Sequence, residues 1–282
     1  MTRAKLLING TEFRQKSPPT KIFTDLWVHR SLLVQLVSRD IAGRYRGSLF
    51  GSVWAFFNPL LMLLLYTMVF GVFLQAKWGG AQDTAQFSLV LFAGLLVFNF
   101  FSECLNRSPG LINSNVNLVK KVAFPLEILP WMMIGTALFH TAISLLVWVL
   151  FAAVVYHQIH WTIAFLPLVV LPLVFITLGV CWIISSLGVY VRDIGQLIGV
   201  FTSFIMFMSP IFYPVESLPK AFQAVLNINP LTFVIQQARS VMIDGRLPDF
   251  AMIGIFTLAS MVFAWLALVW FQRAREGFAD VL

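Results

Sequence analysis

Apolar residues along this chain fall into long runs broken by short charged clusters. Uncharged windows extend over Gly47–Ala76, Thr84–Ser102, Ile128–Val191, Ile194–Val215 and Phe250–Gln272. A bilayer-spanning helix needs roughly 20 apolar residues, and ionised groups are costly inside hydrocarbon, so each window predicts at least one crossing. The third is long enough for two, divided at the polar and aromatic stretch Tyr156–Trp161 (YHQIHW). The pattern therefore predicts an all-α integral membrane protein with six transmembrane helices, at about 52–75, 86–106, 128–156, 162–190, 195–213 and 249–272.

Two segments depart from this rhythm. Over 22–46, Leu26, Leu33, Val37 and Ile41 recur at helical spacing while Arg30, Gln35, Arg39, Asp40 and Arg44 occupy other faces. That arrangement predicts an amphipathic helix lying in the membrane interface. Over about 216–246, two short helical patterns meet at the NINP break (Asn227–Pro230), each too short to cross. Non-spanning backbone at membrane depth is tolerated where it packs on protein or lines a cavity, which predicts a re-entrant hairpin before the last span. Residues 1–21 are polar and read as a tail, leaving 22–282 as a single membrane domain. In the first span Asn58 and Pro59 stand together, an amide seeking a partner in low dielectric beside a helix kink.

Composition agrees. Of the 282 residues 59% are hydrophobic and 11% charged, with a mean hydropathy of +0.86. The net charge of +7 does not imply nucleic acid, because its distribution follows topology. With the N-terminus in the cytoplasm, 15 Lys and Arg residues fall on inner segments and 4 on outer ones. This positive-inside bias predicts both termini in the cytoplasm. No removable signal peptide is expected at the N-terminus.

Searching for chemistry narrows the function classes. Cys104 and Cys181 sit in or at the end of spans, without metal or redox spacing. His157 and His160 are three apart but lack acidic or thiol neighbours, so no metal site is expected. No phosphate-cradling GxxxxGK[ST] motif, nucleophile motif or HExxH pair occurs, so nucleotide hydrolysis is not expected of this chain, which reads as a transporter subunit and not an enzyme. Ionisable groups are scarce inside the spans: His140 is expected to bond to a neighbouring helix, and Glu103 to be a solvated interfacial residue. Ion-coupled carriers use intramembrane charges, so energy is expected to arrive from elsewhere. Aromatic residues are abundant, Phe alone numbering 28. Trp54, Phe57, Phe98, Phe101 and Phe204 are the candidates for a smooth surface along which sugar rings slide.

The segments SRDIAGRYRGSLFGSVWAFFNPLLMLLLYTMVFG (Ser38–Gly71), NLVKKVAFPLEILP (Asn117–Pro130), VRDIGQ (Val191–Gln196), SPIFYP (Ser209–Pro214) and NPLTFVIQQAR (Asn229–Arg239) resemble the permease subunit of the ATP-driven polysaccharide and polyol phosphate exporters, which move lipid-linked O-antigens, capsules and teichoic acids. The resemblance covers about 25–273 and favours O-antigen. It implies a homodimer in the bacterial inner membrane, carrying two copies of a cytoplasmic P-loop ATPase. That partner binds the ATP and Mg, and this chain holds no cofactor. It implies further that about 115–125 forms a cytoplasmic coupling helix, with Asn117, Leu118, Val119, Lys120, Lys121, Val122, Phe124 and Pro125 meeting the ATPase. Arg44, Tyr45 and Arg46 are implied at the lateral entrance where a lipid pyrophosphate arrives, and Phe207 and Tyr213 at the outer gate. Two other readings remain: export of a smaller lipid, and an intramembrane glycan polymerase or ligase using Arg239, Arg246, Asp244, Asp249 or Glu216.

Overall fold

The computed structural model describes residues 21–73, 84–119, 124–191 and 193–282, and these contain helices and connections but no strand. Lys120, Lys121 and Val122 of the expected coupling segment lie outside the described residues. Five helical stretches are long and apolar enough to cross a membrane: Gly51–Phe70, Ala85–Gly110, Ile128–Tyr156, Trp161–Tyr190 and Phe250–Arg275. They are built on α3 (Trp54–Tyr66, continued by a π-helical turn over Thr67–Phe73), α4 (Thr84–Arg107), α6 (Ile128–Tyr156), α7 (Leu166–Tyr190) and α11 (Phe250–Arg275). The chain is thus a multi-pass membrane protein.

The expected crossing at 195–213 is shorter than the pattern predicts. Helix α8 (Ile194–Phe207) has 14 residues, about 21 Å at 1.5 Å per residue against a hydrocarbon core of about 30 Å. It stops because Pro210 has no N–H to continue the ladder and the chain turns over Ser209–Pro214.

Helix α4 is the axis of the bundle. From Phe87 to Phe101 every residue except Asn99 is buried, because α3, α6, α7, α8 and α10 (Pro230–Met242) all pack against it. Helix α11 covers the far side of α7. The expected interface helix is divided at His29 into α1 (Lys21–Val28) and α2 (Arg30–Tyr45), with Leu36 buried. Helix α2 packs closely on α6: a Cβ at Gly135 would stand 2.7 Å from Val37 Cγ2, so glycine is what lets the two helices approach.

The expected break between two short helices is present. Helix α9 (Lys220–Ile228) ends at Asn229, whose side chain accepts a hydrogen bond from Leu231 N at 3.0 Å and so caps α10, with Pro230 in the first turn. With 9 and 13 residues respectively, these helices measure about 14 and 20 Å.

At the opposite end, where Arg107, Arg273 and Arg275 lie, the chain from α4 to α6 runs through short turns and α5 (Val116–Val119). Glu127 is 8% exposed there. Its carboxylate accepts from Arg275 Nη1 at 2.9 Å, and its carbonyl accepts from Trp182 Nε1 at 3.2 Å. One residue thereby joins the start of α6 to α7 and the end of α11. Both cysteines are free and buried.

Candidate functional site

The contact of α2 with α6 carries polar side chains of α2 to the basic end of α4. Arg107 Nη2 donates to both carboxylate oxygens of Asp40, at 2.8 and 2.7 Å. One helical turn back along α4, Glu103 accepts from Arg44 Nη1 at 2.8 Å and lies 3.6 Å from Arg107 Nη1. On α6, His140 Nδ1 is 3.0 Å from both Glu103 oxygens, and His140 Nε2 is 3.1 Å from the Tyr45 hydroxyl.

The imidazole thus has polar neighbours on both nitrogens. Nδ1 faces both the Glu103 carboxylate and Arg44 Nη1, while Nε2 faces the Tyr45 hydroxyl, whose phenol burial pushes up. Arg44 Nη1 stands 2.9 Å from Nδ1 and 2.8 Å from the Glu103 carboxylate, so it reaches both groups.

Glu103 is therefore not the solvated interfacial group that its position predicts. Its side chain is 17% exposed and holds cationic or polar groups from three helices. The reason is convergence: Arg107 is its i+4 neighbour, and α2 lays Arg44 over the same turn. His140 does bond to neighbouring helices, as expected, and its partners are Glu103 on α4 and Tyr45 on α2.

Three cavities border Arg44. One of about 390 Å³ lies among α2, α3, α4 and α6, lined by Arg44, Tyr45, Glu103 and His140 together with Asn58 and Asn99. A second, of about 400 Å³, is bounded by Arg44, Tyr45, Ser48, Trp54 and Asn58. A third, of about 450 Å³, opens among Arg39, Asp40, Arg107, Ser114 and Asn115. Arg44 and Tyr45 are thus at the centre of this polar region, while Arg46 is exposed and borders none of the three cavities.

The aromatic candidates separate into two groups. Trp54, Phe57 and Phe204 are exposed at 39%, 42% and 59%, whereas Phe98 and Phe101 are buried at 3% and 6%. Five rings on one sliding surface is therefore not what the fold presents: Phe98 and Phe101 stand on the faces of α4 that the other helices cover. Trp54 and Phe57 contact one another with centroids 6.5 Å apart. Phe207 and Tyr213 are brought together where α8 ends, the Tyr213 hydroxyl donating to the Phe207 carbonyl at 2.5 Å. In the expected coupling segment, Asn117 is exposed, Val119 ends α5, and Leu118 and Phe124 are half-buried against the core, with Pro125 half-buried beside them.

Sequence reasoning missed the assembly of Asp40, Glu103, Arg107, His140 and Arg44 into one network. The spacing of Glu103 and Arg107 was its one local signal; the rest depends on α2 folding back onto α6. It also treated Arg239 as an open outer group. This guanidinium, 9% exposed, donates to the carbonyls of Val90, Pro210 and Ile211 at 3.1, 2.6 and 2.9 Å.

Comparison with known proteins gives the family. The chain is similar to the O-antigen export system permease protein RfbA of Myxococcus xanthus, at 28% identity over 92% of this chain and 98% of that protein. It is similar to a permease of the same name from Klebsiella pneumoniae, at 24% over 89% of this chain and 95% of that one. The polysialic acid transport protein KpsM of Escherichia coli is 24% identical over 89% of this chain and 96% of its own length. The sequence profile of the ABC-2 type transporters matches residues 31–243, taking in the polar network and the short helices α9 and α10, and the chain belongs to that family of membrane transport proteins.

Proposed function

We propose that this chain is the channel-forming permease subunit of an ATP-driven exporter, which carries lipid-linked polysaccharide from the cytoplasmic side across the bacterial inner membrane. O-antigen is the favoured cargo. The observation that carries this reading is similarity over nearly the whole of both chains to permeases named for O-antigen export.

Two copies form the channel, and each carries one copy of a P-loop ATPase on its basic end. Both termini are cytoplasmic, consistent with 15 basic residues on that side against 4 on the other. Helix α8 with the turn that follows makes the sixth crossing, and α9 with α10 forms the outer re-entrant hairpin. The segment from Asn117 to Pro125 receives the ATPase's movement, and Glu127, tied to Arg275 two residues beyond it, passes that movement to the last span. Arg44, Tyr45 and Arg46 receive the lipid pyrophosphate; a planar guanidinium suits phosphate oxygens. Trp54, Phe57 and Phe204 remain as channel aromatics, with Phe207 and Tyr213 at the gate.

Capsule export is the second reading, favoured by the similarity to KpsM. The polymerase or ligase reading is weakened because Arg239, its most buried candidate, is committed to three backbone carbonyls.

The test is co-reconstitution of the chain with its P-loop ATPase partner, in vesicles bearing lipid-linked glycan on the ATP side. Glycan should become accessible on the far face only with ATP. Transport by the chain alone, or transport of phospholipid in place of glycan, overturns the reading.

A further inference from the structure

The 390 Å³ cavity has a feature that the entrance reading does not use. Asn99 is exposed in the middle of the most buried helix of the bundle, eight residues before Arg107, about 12 Å along the axis from it. Asn58 lies across the cavity on α3, also exposed. Neither amide makes a hydrogen bond among the described residues. Pro59, which follows Asn58, has no N–H to give to the carbonyl of Ala55, and both residues border the same cavity. Polar groups within a span are costly when unpartnered and are kept where they meet a polar ligand or another helix.

The charge at this cavity is nearly balanced. Glu103 answers Arg44, and His140 lies between Glu103 and Tyr45. The rest of the lining includes a set of amides and hydroxyls, among them Asn58, Asn99, Ser102, Ser144 and Tyr66. A primary amide donates and accepts at once, which matches a hydroxyl that also does both. The chemistry suits an uncharged, hydroxyl-rich ring and offers little to a second anion.

We infer that this cavity is a sugar subsite in which Asn58 and Asn99 bind the hydroxyls of the residue nearest the lipid anchor, while Arg44 lies toward the phosphate. The inference rests on the reading of the chain as a permease for lipid-linked glycan and deepens it. The chain then distinguishes a loaded carrier lipid from an empty one before transport begins. Asn58 and Asn99 are specificity-determining residues, and neither belongs to the ion-pair network.

The test uses the full chain with its ATPase in lipid nanodiscs, and two probes: a polyprenyl diphosphate bearing one hexose, and the same lipid without sugar. Binding is read by quenching of intrinsic tryptophan fluorescence, with inorganic phosphate as a control for the anion alone. The attached hexose should tighten binding about tenfold, the worth of one or two hydrogen bonds. Asn58→Leu and Asn99→Leu should each remove most of that increment and leave the affinity for the sugar-free lipid unchanged. Equal affinity of the native chain for both lipids overturns the subsite, as does an increment that survives both substitutions. Dissociation of the dimer in Asn99→Leu with the increment retained assigns the amide to subunit contact and likewise overturns it. If neither lipid binds, the glycan-permease reading fails with it, whereas equal binding of both leaves that reading standing.

Discussion

Arg44 and Glu103 meet at 2.8 Å although one belongs to the helix lying against the bundle and the other to the bundle's most buried helix. Glu103 is also held by His140 from a third helix, so a single carboxylate joins α2, α4 and α6 at the edge of the polar cavities. Replacing it tests whether the junction stabilises the fold. Glu103→Gln keeps the shape but removes the charge, and each lost charge-assisted bond is worth about 1.5–3 kcal/mol. Thermal unfolding in detergent, followed by tryptophan fluorescence, should show a lowered midpoint. Adding Arg44→Gln should cost less than in the native background, since the guanidinium has by then lost its carboxylate.

Arg239 presents a different problem, because its partners are backbone carbonyls. Truncation to Ala leaves all three without their donor and opens a cavity. The expected loss is about 3 kcal/mol or more, and the protein should fail to accumulate in the membrane. Arg239→Lys retains the charge but not the planar fork and should fall between the two. A Cβ at Gly94 would stand 2.7 Å from Arg239 Nη2, an atom fixed by its bond to Ile211. Gly94→Ala should therefore lower stability by about 1–3 kcal/mol through overpacking, measured by the same unfolding assay.

The ion pair of Glu127 with Arg275 joins α6 to the end of α11. Glu127→Gln alone should destabilise by about 1–3 kcal/mol, at the lower end because Arg275 is one-third exposed. Replacing the two together with Leu and Met should recover most of the loss, since packed apolar side chains substitute well for an ion pair. A double-mutant cycle on unfolding midpoints checks this. Under the proposed function, Glu127→Gln should also raise ATP hydrolysis per glycan exported.

Coupling has its own test. Under the proposed function, Lys120→Glu with Lys121→Glu should abolish copurification with the ATPase while the permease still accumulates and unfolds normally; Leu118→Asp, at a position half-buried against the core, should abolish it too and lower the unfolding midpoint. Unchanged copurification and export would remove the coupling role from this segment.

Much of the architecture was legible in the order of the residues. Bilayer hydrocarbon excludes charge so strongly that apolar runs and charge gaps alone located the five membrane-long helices, the helical stretch before them and the two short helices around Asn229. The length of α8 was less legible, because Ser209–Pro214 is as uncharged as a span and only its backbone turn ends the helix.

Tertiary structure alone decided which side chains meet. Helical periodicity cannot distinguish a face turned to lipid or a channel from one turned to other helices when both are apolar, so Phe98 and Trp54 looked alike until packing separated them. Nor does chain order place Asp40, Arg44, Glu103 and His140 together, since their meeting depends on the close crossing of α2 over Gly135. Solvent preference acts on each residue singly and is written locally in the sequence, whereas ion pairs and cavities are properties of helices brought together from distant parts of the chain.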